Sequence, residues 1–264
     1  MDIPRWKERL NHLPLGELHF HPVVGSTNLE AEKLIQVGVE PFSLVIADSQ
    51  TAGKGRQGRT WITRPGQALA FSWILFPETG RIQPETLGRI NGLGALAVSE
   101  TIQEKLGLQS DIKWPNDVLI EGEKVAGILV EVHWQGCQLL DVILGIGINV
   151  GKASIPADPQ FNFPATSLED SCGKEIDRLD FFTDLLASLL KWYRQLAEPS
   201  LIKAWNDHLA YKNQLVSLIS PKGPLAEGRV HGVEEDGSLI LEMSPGAVRH
   251  FHSGEIQLRL VDRS

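Results

Sequence analysis

Residues Glu17 to Val24 (ELHFHPVV) alternate polar and apolar side chains, the period of a strand with one buried face. Ser26, Thr27 and Asn28 then offer caps to the helix LEAEKLIQVG, and Thr27 with Glu30 has the spacing of a capping box. Phe42 to Ala47 (FSLVIA) is a short apolar, β-branched run that predicts a second strand, and after a glycine-rich segment TWITRPGQALAFSWILF returns to strand-forming residues. A long helix is predicted from near Pro84, a first-turn proline, to a stop at Gly107, and its small apolar residues suit close packing on a sheet. Four strands follow in close succession within SDIKWP, DVLIEG, KVAGILVEVHW and CQLLDVILGIGINV, with turns at Pro115 to Asp117, Gly122 and Gly136. Their spacing predicts an antiparallel or mixed sheet. Residues 151–176, rich in Pro, Ser and Asp, read as a loop, and DFFTDLLASLLKWYRQL and SLIKAWNDHL read as helices. From about Asn213 short strands at close spacing, with a tight turn at Glu235-Asp236-Gly237, predict a small β-barrel of SH3-like size. The pattern therefore divides the chain into residues 1–212 and 213–264, without internal repeats.

Composition narrows the class. The 264 residues are 42% hydrophobic and 22% charged, ordinary values for a globular protein. The formal net charge of −8 argues against a general nucleic-acid binder, which needs a basic surface to displace counterions. No apolar run is long enough for a membrane helix, and MDIPRWKERLNHLP lacks the apolar core of a leader, so a cytoplasmic protein is expected. Cys137 and Cys172 have neither metal spacing nor the density of a disulfide scaffold, and buried or inert thiols are expected. Against the acidic whole, Ser49 to Pro77 contains no Asp or Glu but carries Lys54, Arg56, Arg59 and Arg64. Such local positive charge suits a small anionic ligand.

Within that segment AGKGRQGRTW (Ala52 to Trp61) matches G-x-G-x-x-G and nearly matches a P-loop. Both fingerprints require a helix N-terminus after the glycines, whereas Pro65-Gly66 and β-rich residues follow here, so the loop joins strand to strand. Its glycines free the backbone to approach a ligand and its cations can donate to carboxylate or phosphate, although a solvated hairpin turn has the same composition. In KWPNDV, Lys113 could meet a phosphate, Asn116 a purine edge and Asp117 a magnesium ion; Asn-Asp after Pro is also ordinary turn chemistry. Lys124 opens a strand, either as a solvated edge residue or as a site cation. In GIGIN, Gly145, Gly147 and Asn149 end a strand where absent side chains permit close approach by a backbone or a flat ring, or simply serve core packing. His19-Phe20-His21 and His250-Phe251-His252 would each set two histidines on one strand face, but nothing else has ligand spacing and no histidine metal site is expected. No G-x-S-x-G elbow occurs.

Taken together, STN (Ser26 to Asn28), QTAGKGRQGRTW (Gln50 to Trp61), KWPNDV, KVAGILVE and GIGINV resemble, in order and spacing, the biotin protein ligases, and SGEIQLRL (Ser253 to Leu260) extends the likeness into the small C-terminal domain. The resemblance implies an α+β fold: a mixed β-sheet with helices, akin to class II synthetase cores, plus a C-terminal SH3-like β-barrel. It implies ATP-dependent attachment of biotin to a lysine of the biotin carboxyl carrier protein of acetyl-CoA carboxylase, through biotinyl-5'-AMP and with Mg2+. It further implies that Ser26, Thr27, Asn28, Gln50, Lys54, Gly55, Arg56, Lys124 and Gly127 bind biotin, and that Arg59, Trp61, Lys113, Asn116 and Asn149 bind ATP. Asp117 would hold the metal, and Lys124, Arg56 and Arg59 would be catalytic. The family usually carries arginine where this chain has Lys54. A lipoate or octanoate ligase and a non-catalytic biotin or nucleotide sensor are the alternatives. Some members add an N-terminal winged helix-turn-helix; only about 20 residues precede the likeness here, so neither DNA nor a membrane is an expected partner, and a homodimer is left open.

Overall fold

The strand-forming runs of the first 150 residues meet in one sheet. They are β1 (Leu18–Val24), β2 (Leu44–Gln50), β3 (Ala68–Leu75), β4 (Asp111–Lys113), β5 (Asp117–Ile120), β6 (Glu123–Gln135) and β7 (Gln138–Asn149). In the computed structural model, which describes residues 1–77, 80–155, 164–220, 222–252 and 257–261, the order across the sheet is β1-β2-β3-β7-β6-β5-β4. Helix α2 (Thr27–Val37) crosses over between β1 and β2, so that pair is parallel; every other pair is antiparallel. The expected mixed sheet is thereby present. Every residue of β3 is buried, because helices cover both faces at the centre of the sheet.

On one face α2 sets Ala31 against Val45, Ile74 and Ile143. The other face carries the main core, where α3 (Arg89–Leu106), α5 (Arg178–Arg194) and α6 (Pro199–Asp207) pack with α1 (Ile3–Leu10). The small residues of α3 do what their size allows. A Cβ on Gly92 would come within 2.2 Å of the Trp205 ring, and one on Gly94 would press on Ile128 and Leu144.

Four local expectations are corrected. Helix α1 replaces an unassigned start: Asp2 caps it by accepting from the Arg5 amide at 3.2 Å, a proline stands in its first turn, and Trp6 and Leu10 are buried one turn apart. Pro84 opens a short 3-10 turn, Pro84–Thr86, and α3 itself begins at Arg89 before ending as expected at left-handed Gly107. The segment 151–176 contains α4 (Leu168–Cys172), capped by Ser167, while residues 156–163 lie outside the described ones. Finally, Thr27 and Glu30 form no capping box. Ser26 is the cap residue, yet its side chain makes no cap bond, Thr27 Oγ1 donates to Gln50, and Glu30 pairs with Lys33. Both cysteines are free and neither is buried.

The C-terminal strands β8 (Leu215–Ser220), β9 (Gly223–Val233), β10 (Leu239–Ser244), β11 (Ala247–Phe251) and β12 (Gln257–Leu260) form a second, antiparallel sheet in the order β11-β10-β9-β8-β12. Residues 253–256 of the SGEIQLRL stretch lie outside the described residues. The two sheets are joined by polar contacts as well as apolar ones. Asn206 on α6 both donates to and accepts from the backbone of Val233, and the buried Trp114 indole donates to Gly237 O at 3.0 Å. At Gly88 and Gly237 the backbones meet directly: a Cβ on Gly88 would lie 2.0 Å from Asp236 O, and one on Gly237 would lie 2.4 Å from Gly88 O.

Candidate active site

The ends of β2, β6 and β7 and the start of α2 surround one cleft of about 450 Å³. It gathers residues far apart in sequence: Ser26, Thr27, Asn28, Gln50, Lys54, Gly55, Arg56, Arg59, Trp61, Asn116, Asp117, Lys124, Gly127 and Asn149 all line it. Every expected site residue is in that set except Lys113, which is buried and is the strand partner of the lining residue Asp117. Size and lining are those of a small-molecule site with a few convergent polar groups.

At one end the side chains are held by one another. Gln50 Oε1 accepts from the Thr27 amide at 2.7 Å and from Thr27 Oγ1 at 3.1 Å. Asn28 donates to Glu131 Oε2 at 2.6 Å and accepts from Ser72 Oγ at 2.5 Å. Gly145 is what admits Asn28 to the sheet, since a Cβ there would sit 2.3 Å from Asn28 Oδ1. The glycine two residues on has a different partner. A Cβ on Gly147 would lie 2.3 Å from the Trp61 ring, and Gly127 leaves space for both that ring and Lys124. The alternatives left open for GIGIN are thus resolved: its glycines serve an amide and a flat ring. Among the described residues the Trp61 indole N–H has no partner.

The basic loop over the cleft is itself a small hairpin. Trp61 N donates to Gly53 O at 2.8 Å and Gly55 N to Arg59 O at 2.7 Å, around a 3-10 turn at Arg56–Gly58 with Gln57 and Gly58 in the left-handed region. Gly53 is required for this closure, because a Cβ would stand 2.3 Å from Trp61 O. Two of its cations reach across the cleft, Lys54 to Glu131 Oε1 at 3.0 Å and Arg56 to Asn116 Oδ1 at 3.1 Å. Burial lowers the pKa of the Arg56 guanidinium; Asp117 raises it and Arg59 lowers it further.

The floor at the other end is charged and partly dry. Lys124 Nζ lies 2.6 Å from Asp117 Oδ1 and 5.5 Å from the Trp61 ring centroid. Its backbone is clamped by Pro164 O and Thr166 N, and Asn149 donates to Thr166 O. Asn116 Nδ2 donates to Ile128 O, so the amide fixes the turn as well as facing the cleft. Lys113 is 7% exposed. Burial pushes its ammonium down to about 8 against the opposing pull of Asp117, and Arg259, Lys124 and Arg59 push the same way as burial. Arg259, from β12, lines the cleft too, as do Ser154 and Ile155. Sequence reasoning singled out none of these three, nor Glu131. Arg259 stands within the quoted SGEIQLRL stretch and Glu131 ends the quoted KVAGILVE stretch, so the signal of both was present.

Among the described residues no group of three or more His, Cys, Asp or Glu is placed to hold a metal, and no helix is long and apolar enough to cross a membrane. Neither histidine pair is part of such a group among the described residues.

Comparisons with known proteins agree with this geometry. Residues 20–149 match the biotin/lipoate A/B protein ligase family and residues 213–259 match the biotin protein ligase C-terminal domain. The chain is 34% identical over 244 residues to the bifunctional ligase/repressor BirA of Bacillus subtilis, covering 91% of this chain and 74% of that protein. It is 33% identical over 226 residues to the biotin–[acetyl-CoA-carboxylase] ligase of Paracoccus denitrificans, covering 84% and 92%. The structure of a biotin protein ligase from Aquifex aeolicus in complex with biotin and ATP superposes with a TM-score of 0.78 at 29% identity, over 93% of this chain and 99% of that one. With both segments matched in order and the cleft built from the residues that carry the likeness, the chain belongs to the biotin protein ligase family.

Proposed function

We propose that this chain joins biotin to a lysine of the biotin carboxyl carrier protein of acetyl-CoA carboxylase, using ATP and passing through biotinyl-5'-AMP. One observation carries the reading: a single cleft has an amide- and hydroxyl-lined end at Thr27 and Gln50, a cationic end at Lys124 and Asp117, the latter paired with the buried Lys113, and a basic hairpin above both. The names of the relatives supply the substrates that suit it. Residues 1–212 are the ligase domain in this reading, and residues 213–264 the C-terminal domain.

The first half-reaction brings together two anions. An oxygen of the biotin carboxylate attacks the α-phosphorus of ATP, that bond forms as the bond to the bridging oxygen breaks, and pyrophosphate leaves. Unassisted, charge repulsion opposes the approach, so positioning and fixed positive charge do most of the work. Ser26, Thr27, Asn28 and Gln50 hold the biotin head, with Gly127 giving it room. Lys124 moves between Asp117 and the reacting carboxylate and phosphate; Arg56 and Arg59, with Lys54 and Gly55, bring the hairpin down on them. Trp61 stacks on the adenine, and Lys113, Asn116 and Asn149 meet the nucleotide.

A magnesium ion fits this donor set in a limited way. Asp117 would hold it alongside the phosphates, which suits an ion that prefers one or two carboxylates plus substrate oxygens. Bound there, it would neutralise phosphate charge. In the second half-reaction the carrier lysine attacks the acyl carbon of the anhydride, the acyl–oxygen bond breaks, AMP leaves and the amine loses a proton. Water would intercept the same carbon, so the hairpin also shields it.

Incubation of the protein with biotin, MgATP and a biotin carboxyl carrier domain should release pyrophosphate and label one lysine. Labelling with lipoate instead, or binding of biotin without pyrophosphate release, would replace this reading with an acyl ligase of other specificity or with a sensor.

A further inference from the structure

Glu131 on β6 stands outside every role assigned above, yet its carboxylate bonds residues on two sides of the cleft. One oxygen accepts from Asn28 Nδ2 at 2.6 Å, and the other lies 3.0 Å from Lys54 Nζ at the root of the hairpin. Asn28 has no slack: its oxygen accepts from Ser72, and Gly145 beneath it leaves no room for retreat. The orientation of its amide is therefore set by Glu131 and Ser72 together. Lys54, for its part, is the position where this chain departs from the arginine usual in the family. Each oxygen of Glu131 carries one of these bonds, and a lysine is a point donor that engages only one oxygen, whereas a forked guanidinium tends to engage both.

We propose that Glu131 is a positioning residue that orients Asn28 and latches the hairpin through Lys54, and that Lys54 is the latch rather than a contact to the biotin carboxylate. The first part concerns the protein without ligands. The effect on biotin rests on the function proposed above.

The latch is tested on the ligand-free protein by limited trypsin digestion, following cleavage after Arg59 by mass spectrometry. Glu131→Gln keeps an acceptor for Asn28 but removes the charge facing Lys54, and Lys54→Met removes the other partner. Each should speed that cleavage about two- to fivefold, as for a partly exposed ion pair, and the double variant should be no faster than either single one. Glu131→Ala removes the acceptor as well, and should additionally raise the Kd for biotin about tenfold where Glu131→Gln changes it less than twofold. Cleavage at the wild-type rate in Glu131→Gln, or additive rates in the double variant, overturns the latch. Equal biotin affinity of Glu131→Ala and Glu131→Gln overturns the positioning of Asn28. Failure of the unsubstituted protein to bind biotin would instead sink the proposed function, and the digestion would still report on the ion pair.

Discussion

The hairpin above the cleft and the KWPND turn below it carry the same kind of charge in opposite surroundings. The hairpin is bonded mostly to itself and its Arg59 is exposed. The turn is embedded: Lys113 and Trp114 are buried, Asn116 is tied to β6, and the indole is tied to the second sheet. Charge on an exposed side chain such as Arg59 is cheap to maintain and weak until a ligand confines it, whereas a buried ammonium such as Lys113 is held at a cost that shows in its lowered pKa. One cleft thus combines an adaptable cover with a fixed, electrostatically tense floor.

Substitutions should separate the two. Lys124, on the floor, is expected to dominate: Lys124→Ala should cut biotin-dependent pyrophosphate exchange about 10²- to 10³-fold, and near-normal exchange would remove it from the chemistry. Gly147→Val forces the Trp61 ring off its seat and should raise the KM for ATP about tenfold, in line with the usual cost of overpacking; unchanged kinetics would mean that the ring works elsewhere.

Lys113 makes the floor sensitive to pH. Its ammonium loses its proton near pH 8 in the folded protein, so the ATP affinity of the free enzyme should weaken above that value, by up to about tenfold per pH unit if this charge is essential. Lys113→Arg should flatten the profile. The linked stability runs the other way. Because the folded value lies below the ordinary 10.5, the unfolded chain binds the extra proton, and Lys113 contributes a stability that rises with pH between about 8 and 10.5. Titration of ATP binding by calorimetry across that window checks the first claim.

The smallest effects sharpen the contrast. Trp114→Phe leaves Gly237 O without its donor and should lower stability by about 1–3 kcal/mol in chemical denaturation. Arg59→Ala, on the cover, should stay within about 0.5 kcal/mol of the unsubstituted protein. A larger loss at Arg59 than at Trp114 would invert the picture of a rigid floor and a loose cover.

How much of this was legible in the sequence depended on whether the determinant was local. The strands of KVAGILVEVHW and CQLLDVILGIGINV, and the stop at Gly107, follow from side-chain period and a backbone that only glycine adopts readily, and they appear where expected. The start of α1 carries an equally local signal in Asp2, Pro4, Trp6 and Leu10, a cap, a first-turn proline and two apolar residues one turn apart, on a segment too short and too polar for its period to stand out. Thr27 misled because a cap and a ligand-facing hydroxyl look alike until Gln50, 23 positions away, supplies the competing acceptor. Glu131 stands at the end of the quoted KVAGILVE stretch, yet an acid in a strand, like Ser154 in a turn, acquires its meaning only from what the fold sets opposite it. The two glycines of GIGIN were legible as space, and only the sheet register decided what fills it.

The meeting of Gly88 with Gly237 has a mechanical consequence. With no side chain between two touching backbones there is no cushion, and Trp114 hooks the same hairpin tip one residue from Lys113. Neither backbone can close on the other, and the Trp114 bond ties that hairpin tip to the residue next to Lys113, so the seam between the two sheets and the turn beneath the cleft share one anchor.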